Sequence, residues 1–419
     1  MKYIARTLVV CLIAFTALAM AIQPSFKSTV VVWVGSFPVS LFNVLLVAST
    51  GTFLYAVSLH PATDPCAGNR VVLRLTGAYL LYQLAVVTPI AVLAHGVSLG
   101  EVLSGLDARF ALVLIPFFYY VGLRYLSPTR LIALVNAAAL MLLLYALYRY
   151  VFMGPQGLWD GNEYRLRVLW GGSTLLFGWL AITGLFLQRP GFRAYAMGLA
   201  GILGIVIVNH RSGYVALIFA LALYLVSSRR VAKRFVVVAC ALLVGAVLIN
   251  AYAPTLRASA AYSLTTMFNP HADTNTTDRI ERSALAWDFV KANPLGDYIW
   301  NGTFYLVDLG GAGFEPHNLV MQKLDKEGVI GAGLVFALII SALSIGWRNR
   351  ARSRVSSVMM AYLVFYAVFC LFNTSFDSIE NVTLFAATVA LLLHANRMPD
   401  ERPPAAPSAA EVPAQSSLT

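Results

Sequence analysis

His317 lies in Glu315-Pro316-His317-Asn318, upstream of Gly328-Val329-Ile330-Gly331. Proline suits a first helical position, so a helix is expected to begin at His317. An imidazole held on a rigid helix end can take a proton near neutral pH, as a general base must. Lys323, Asp325, Lys326 and Glu327 make the opening turns polar before the helix turns apolar. Gly328 and Gly331 are expected on one face, where another helix can approach closely. The plainer account of a lone histidine at a helix start is an interface residue with satisfied hydrogen bonds.

Two arginines could hold an anion. In Thr277-Asp278-Arg279-Ile280-Glu281, Asp278 and Glu281 have the spacing of a capping box. A helix is then expected from Arg279 to Asn293, stopped by Pro294. Arg279 would sit beside free backbone N–H groups, a plausible phosphate site; the alternative is a solvated cation in a polar loop. Arg211 occupies the short connection Asn209-His210-Arg211-Ser212-Gly213. It is expected near headgroup depth, where arginine is costly without an anion or the interface, and snorkelling to headgroups is the bland account. Ser212 could cap the following helix. Arg282, His210, Lys323 and Lys326 are supporting candidates, each better suited to anchoring the interface or supporting the site than to the chemistry itself. Asp377 and Glu380 could orient a base or an acceptor, although a solvated turn suits them better. No HExxH, carboxylate cage, P-loop or dinucleotide glycine pattern is present, so no metal, nucleotide or other cofactor is expected.

These residues need a scaffold, and composition restricts it. Of 419 residues 59% are hydrophobic and only 12% charged, with a mean hydropathy of +0.73. A soluble domain carries about a quarter charged residues. This chain cannot cover a water-facing surface of its size, and it is too apolar for disorder. Its net charge of +11 is scattered in short clusters between apolar runs, which argues for topology signals and against nucleic-acid binding. The four cysteines form no CxxC pair and read as small apolar residues.

The expected fold is an all-α polytopic membrane protein with about twelve transmembrane helices. Apolar runs place them near 5–22, 37–59, 71–94, 108–123, 131–152, 168–187, 194–208, 212–227, 235–253, 328–346, 355–373 and 379–396. The region 194–227 reads either as one bent hairpin or as two short spans. With the N-terminus cytoplasmic, every inside connection carries at least two cations, from Lys2 and Arg6 through Arg348–Arg354 to Arg397 and Arg402. Both termini are therefore expected in the cytoplasm. Ala17-Leu18-Ala19-Met20-Ala21 also resembles a signal-peptide cleavage site, and cleavage would leave the other spans oriented as they are. The organisation is then 1–253 with nine spans, a polar outside loop at 254–327 with short helices, three spans at 328–396 and a disordered tail at 397–419.

Taken in order, the segments resemble the O-antigen ligase family of bacterial inner membranes. The family signature is His, then Asn, Ser or Gln, nine residues, Gly, two residues, Gly. His317-Asn318, Gly328 and Gly331 match it at every defined position. Arg279 through Asn293-Pro294-Leu295-Gly296 is similar to the family's arginine-bearing helix with its Pro-Leu-Gly turn, and Arg211 to its other arginine. One departure is Ser283, where an aromatic usually follows the helix arginine by four residues; Trp287 lies one turn later, and Arg282 is close to Arg279.

The resemblance implies glycosyl transfer at the periplasmic face. The donor would be a polysaccharide on undecaprenyl pyrophosphate, and the acceptor a sugar hydroxyl of lipid A-core. His317 would take the hydroxyl proton or orient the hydroxyl, while Arg211 and Arg279 would hold the pyrophosphate. Neither ATP nor metal is implied, and inversion at the anomeric carbon is expected. An O-antigen or exopolysaccharide polymerase, or a protein-glycosylating ligase, would use the same donor. A transporter fits less well, because the span centres are almost free of charge and no repeated halves are visible.

Overall fold

The computed structural model describes residues 1–22, 30–34, 37–59, 66–96, 109–153, 168–169, 171–188, 191–227, 257–258, 261–262, 265, 274–296, 318–373, 376 and 378–397. The expected ninth span at 235–253, the tail from 398, His317 and Asp377 lie outside them. The described residues form a helical, membrane-embedded protein. Seven helices are long and apolar enough to cross a bilayer: α1 (Lys2–Ile22), α2 (Leu41–Leu59), α3 (Ala67–Ala94), α5 (Pro128–Phe152), α10 (Leu319–Asn349), α11 (Arg354–Leu371) and α12 (Ile379–Arg397). Four shorter apolar helices are α4 (Ala111–Tyr125), α6 (Ser173–Phe186), α7 (Phe192–Val208) and α8 (Arg211–Ser227). A polar helix, α9 (Thr274–Ala292), completes the set.

The start of α2 differs from the pattern of apolar runs. Val30–Val34 and Phe37–Ser40 pair as antiparallel strands β1 and β2, so α2 begins at Leu41 and not at 37. A capping box places that start: Asn43 N–H donates to Ser40 Oγ at 3.3 Å, and Ser40 N–H to Asn43 Oδ1 at 3.2 Å. The region 194–227 is two helices joined at Asn209, which takes the left-handed conformation with φ 50°. There α8 turns away from α7 to pack along α11, while α7 packs on α6. Pro89 lacks the N–H a regular turn needs, and α3 runs on there as two π-helical stretches, Gln83–Val87 and Ile90–Ala94.

The centre of the bundle is α12, which packs against α1, α4, α6, α10 and α11. A helix apolar on every side is buried on every side. Its Thr383 and Thr388 hydroxyls donate to the carbonyls of Ile379 and Leu384, so neither enters the apolar core unsatisfied. All of α6 is buried as well. Its backbone almost touches that of α7: a Cβ on Gly201 would stand 2.3 Å from the Ala181 nitrogen, and one on Gly184 2.6 Å from the Gly198 nitrogen. Such close approach is the main source of helix association where lipid is as apolar as the interface.

Side-chain amides and arginines close one end of the bundle. Asn69 Nδ2 donates to Leu393 O and Tyr119 Oη, Asn396 to Asn69, and Asn349 to Asn396. Arg6 donates to the Tyr125 carbonyl, and Arg354 to those of Phe186 and Gln188. The start of α1, the ends of α4, α6, α10 and α12, and the starts of α3 and α11 therefore gather there. The ends of α3 and α11 and the starts of α4, α6, α8, α10 and α12 lie at the other end.

Gly201→Ala must force apart two backbones. Its expected cost is about 1–3 kcal/mol, seen as a lower unfolding temperature in detergent. Gly77→Ala, where an added methyl meets nothing within 4 Å, leaves that temperature unchanged or raises it.

Candidate functional site

At the end opposite the amide latch, α10 begins two residues later than its proline suggested. Asn318 is its N-cap: the extended backbone (φ −146°) lets Oδ1 accept from Val320 N at 2.8 Å and Met321 N at 3.4 Å. The expected start at His317 is corrected accordingly. The polar opening turns point into the bundle. Lys323, Asp325, Lys326 and Glu327 are all buried.

Glu327 explains how such turns tolerate burial. Its Oε1 accepts from Lys323 Nζ at 2.5 Å and lies 3.0 Å from Arg109 Nε in an ion pair, with all three side chains 2% exposed or less. Arg109, at the opening of α4, comes from a remote stretch of chain. The Lys323 ammonium also stands 5.3 Å from the Phe376 ring centre, between α11 and α12. Tyr82 Oη, at the end of the regular part of α3, donates to the Glu327 carbonyl at 2.9 Å. Gly331 clears this contact, since a Cβ there would meet Glu327 and the Tyr82 ring.

The next residue breaks the helix. Gly328 adopts φ 66°, ψ −174°, a region open essentially to glycine alone. The bend frees the N–H of Val329 from the helix ladder, and the Pro294 carbonyl accepts it at 2.9 Å. A Cβ on Gly328 would lie 2.2 Å from the Leu295 carbonyl carbon. Gly328 and Gly331 thus serve two partners, the turn after α9 and α3, not a single helix across one continuous face.

The turn at 294–296 ends α9 as expected, because the residue before a proline is pushed out of helical geometry. The start of α9 is corrected. No glycine or proline interrupts 271–293, and the helix already runs from Thr274. Asp278 is therefore no cap, and the Arg279 backbone lies in the second turn, inside the hydrogen-bonded ladder. The free N–H groups expected beside it belong to the preceding turn. Arg282, one turn further on, is half-buried.

Arg211 is the first residue of α8 and half-buried. Ser212 does not cap that helix. Its Oγ is 2.6 Å from His210 Nδ1 and accepts from Asn373 Nδ2 at 2.7 Å. His210 is buried between Phe369 and Gly171, where any Cβ would collide with its ring. It is an interface residue that pins α8 to α6 and α11. Glu380, expected in a solvated turn, is 1% exposed at the start of α12. Beside it, Asn381 packs where a Cβ on Gly172 would stand 3.3 Å away.

The structure thus gathers Asn318, Lys323, Arg211, His210 and Glu380 at one end of the bundle, with the Pro294–Gly296 turn docked there. Arg109, Tyr82 and the role of Glu327 were missed from sequence. The available signal was the four-residue ladder Lys323, Glu327, Gly331, which puts a charged pair and a close-approach glycine on one ridge. Among the described residues no group of three or more His, Cys, Asp or Glu side chains could hold a metal ion. Comparison with known proteins gives no match, either to a protein-family model or to a curated protein.

Gly328→Ala puts a side chain where the backbone conformation and Leu295 both exclude it. A loss of at least about 1–3 kcal/mol is expected. Hydrogen exchange checks it, with faster exchange at the Val329 amide and across 285–296.

Proposed function

We propose that this protein is an O-antigen-ligase-type glycosyltransferase of a bacterial inner membrane. It moves a glycan from undecaprenyl pyrophosphate to a sugar hydroxyl of lipid A-core. In this reading twelve spans cross the membrane, both termini are cytoplasmic, 254–327 is periplasmic, and the transfer takes place at the periplasmic face. Arg6, Arg124, Arg348–Arg354 and Arg397 belong to the end closed by the amide latch, and the bias of cations toward cytoplasmic connections supports that orientation.

One observation carries the reading. The two segments on which the resemblance rests, Pro294-Leu295-Gly296 and the Gly328 of the His317 signature, are joined by the Val329–Pro294 hydrogen bond. Neither glycine tolerates a side chain at the contact, which gives a physical reason for glycine in both motifs.

The chemistry needs a base and an anion holder. The acceptor hydroxyl oxygen bonds to the anomeric carbon as the bond from that carbon to the pyrophosphate oxygen breaks. His317 takes the hydroxyl proton, and the lipid pyrophosphate leaves with the electron pair. Arg211 and Arg279 hold its growing negative charge by bidentate hydrogen bonds, with Arg282 as a nearby cation. Asn318 supports the histidine by fixing the helix start. Lys323 contributes through its ion pair and His210 through packing.

Proteoliposomes containing lipid-linked O-antigen and purified lipid A-core test the proposal, with chelator present and ATP absent. Wild type is expected to form the conjugate and membrane-inserted His317→Ala to lose at least about 100-fold of the rate. Lengthening of the lipid-linked glycan without transfer to lipid A-core would replace the ligase by a polymerase. Equal rates in mutant and wild type would remove His317 from the chemistry.

A further inference from the structure

We infer that Glu327 is a positioning residue for the transfer reaction: its buried carboxylate, gripped by Arg109 and Lys323, sets the bend at Gly328 and so the direction of the opening turns of α10. The inference rests on the proposed glycosyl transfer for its link to catalysis, while the bend itself is a property of the fold.

The bonds converge on three consecutive residues. Glu327 Oε1 accepts from Lys323 Nζ and pairs ionically with Arg109, its carbonyl accepts from Tyr82 Oη, Gly328 turns to φ 66°, and Val329 N–H leaves the helix for Pro294 O. Three other stretches of chain, at Tyr82, Arg109 and Pro294, therefore grip α10 within one turn. Glycine permits the bend without choosing its angle, because it populates a wide range of positive φ. The bonds on either side choose it. The same cluster reaches the Arg211 end of α8: Lys323 faces Phe376, and Asn373 just before it holds Ser212. One carboxylate thus orders the approach of the signature turn, the Arg279 helix and the Arg211 helix.

Stability does not account for the cluster. Taking three charges out of water is expensive, and well-packed apolar replacements of buried ion groups are often neutral or stabilising. Charge-assisted bonds supply direction, which apolar contacts lack. Without the carboxylate, the ion pairs that tie Arg109 and Lys323 to the residue before Gly328 are lost.

The test measures bend and rate independently. Spin labels at Met321 and Ile340, in a background without the four native cysteines, report the distance across Gly328. Glu327→Gln is expected to broaden that distance distribution and to lower kcat about 100-fold with little change in KM for the lipid-linked donor, as misplacement on the scale of an ångström does. The triple variant Arg109→Met, Lys323→Met, Glu327→Leu covers the possibility that the single variant unfolds. It is expected to regain the unfolding temperature but neither the narrow distribution nor kcat. A narrow distribution in Glu327→Gln, or a triple variant with wild-type kcat, overturns the inference and leaves the cluster as packing. If wild type forms no conjugate, the glycosyl-transfer reading falls, and the distance distributions still decide whether Glu327 sets the bend.

Discussion

A carboxylate buried in an apolar bundle must be neutralised where it stands. Glu327 meets that requirement with two cations, one from its own helix and one from the opening of α4. Several features follow from this single constraint. The polar turns of α10 must face inward, because Lys323 is on the same ridge. The start of α4 and the end of α3 must reach the same level. Gly331 must be small enough for Tyr82 to approach. Immediately beyond the carboxylate the chain leaves helical geometry at Gly328, where the turn after α9 is seated. Replacement of one member breaks a buried ion pair, a far larger effect than loss of a surface pair.

The two ends of the bundle solve polar burial differently. At the latch end, asparagine amides bond to each other and to a helix carbonyl, and half-buried arginines bond to helix-terminal carbonyls. Neutral amides suit a fixed joint, since each donor finds an acceptor at modest desolvation cost. The other end concentrates buried ion pairs and a bent helix, features that cost stability and cluster where function demands a particular geometry. Between them, α6, α7, α11 and α12 pack by shape, with glycines bringing backbones into contact.

Much of the helical layout was legible in the chain. Apolar runs bounded by cations marked the helices, and Pro294 marked the end of α9. Starts were less legible. Pro316 and the Asp278–Glu281 pair were both locally sound signals. The Asn318 side chain captured the first N–H groups of α10, and nothing in Thr274–Thr277 interrupts α9. The β1–β2 hairpin was hidden because valine runs suit a strand and an apolar helix alike. A residue judged alone also misled: Glu380 looks solvated as a charged side chain in a helix-connecting turn, yet it is buried.

Composition and periodicity by themselves determined that this is a helical membrane protein, because charge at 12% cannot clothe a soluble fold. The sequence also held the spacing of His317, Asn318, Gly328 and Gly331. Only the tertiary structure decided that Gly328 is a bend seating Leu295, that His210 is an interface residue, and that Arg109 is the partner of Glu327. The reason is range. Capping, propensity and helical spacing act within a few residues and leave their mark locally, whereas the partner of a buried charge is selected by which helices pack together.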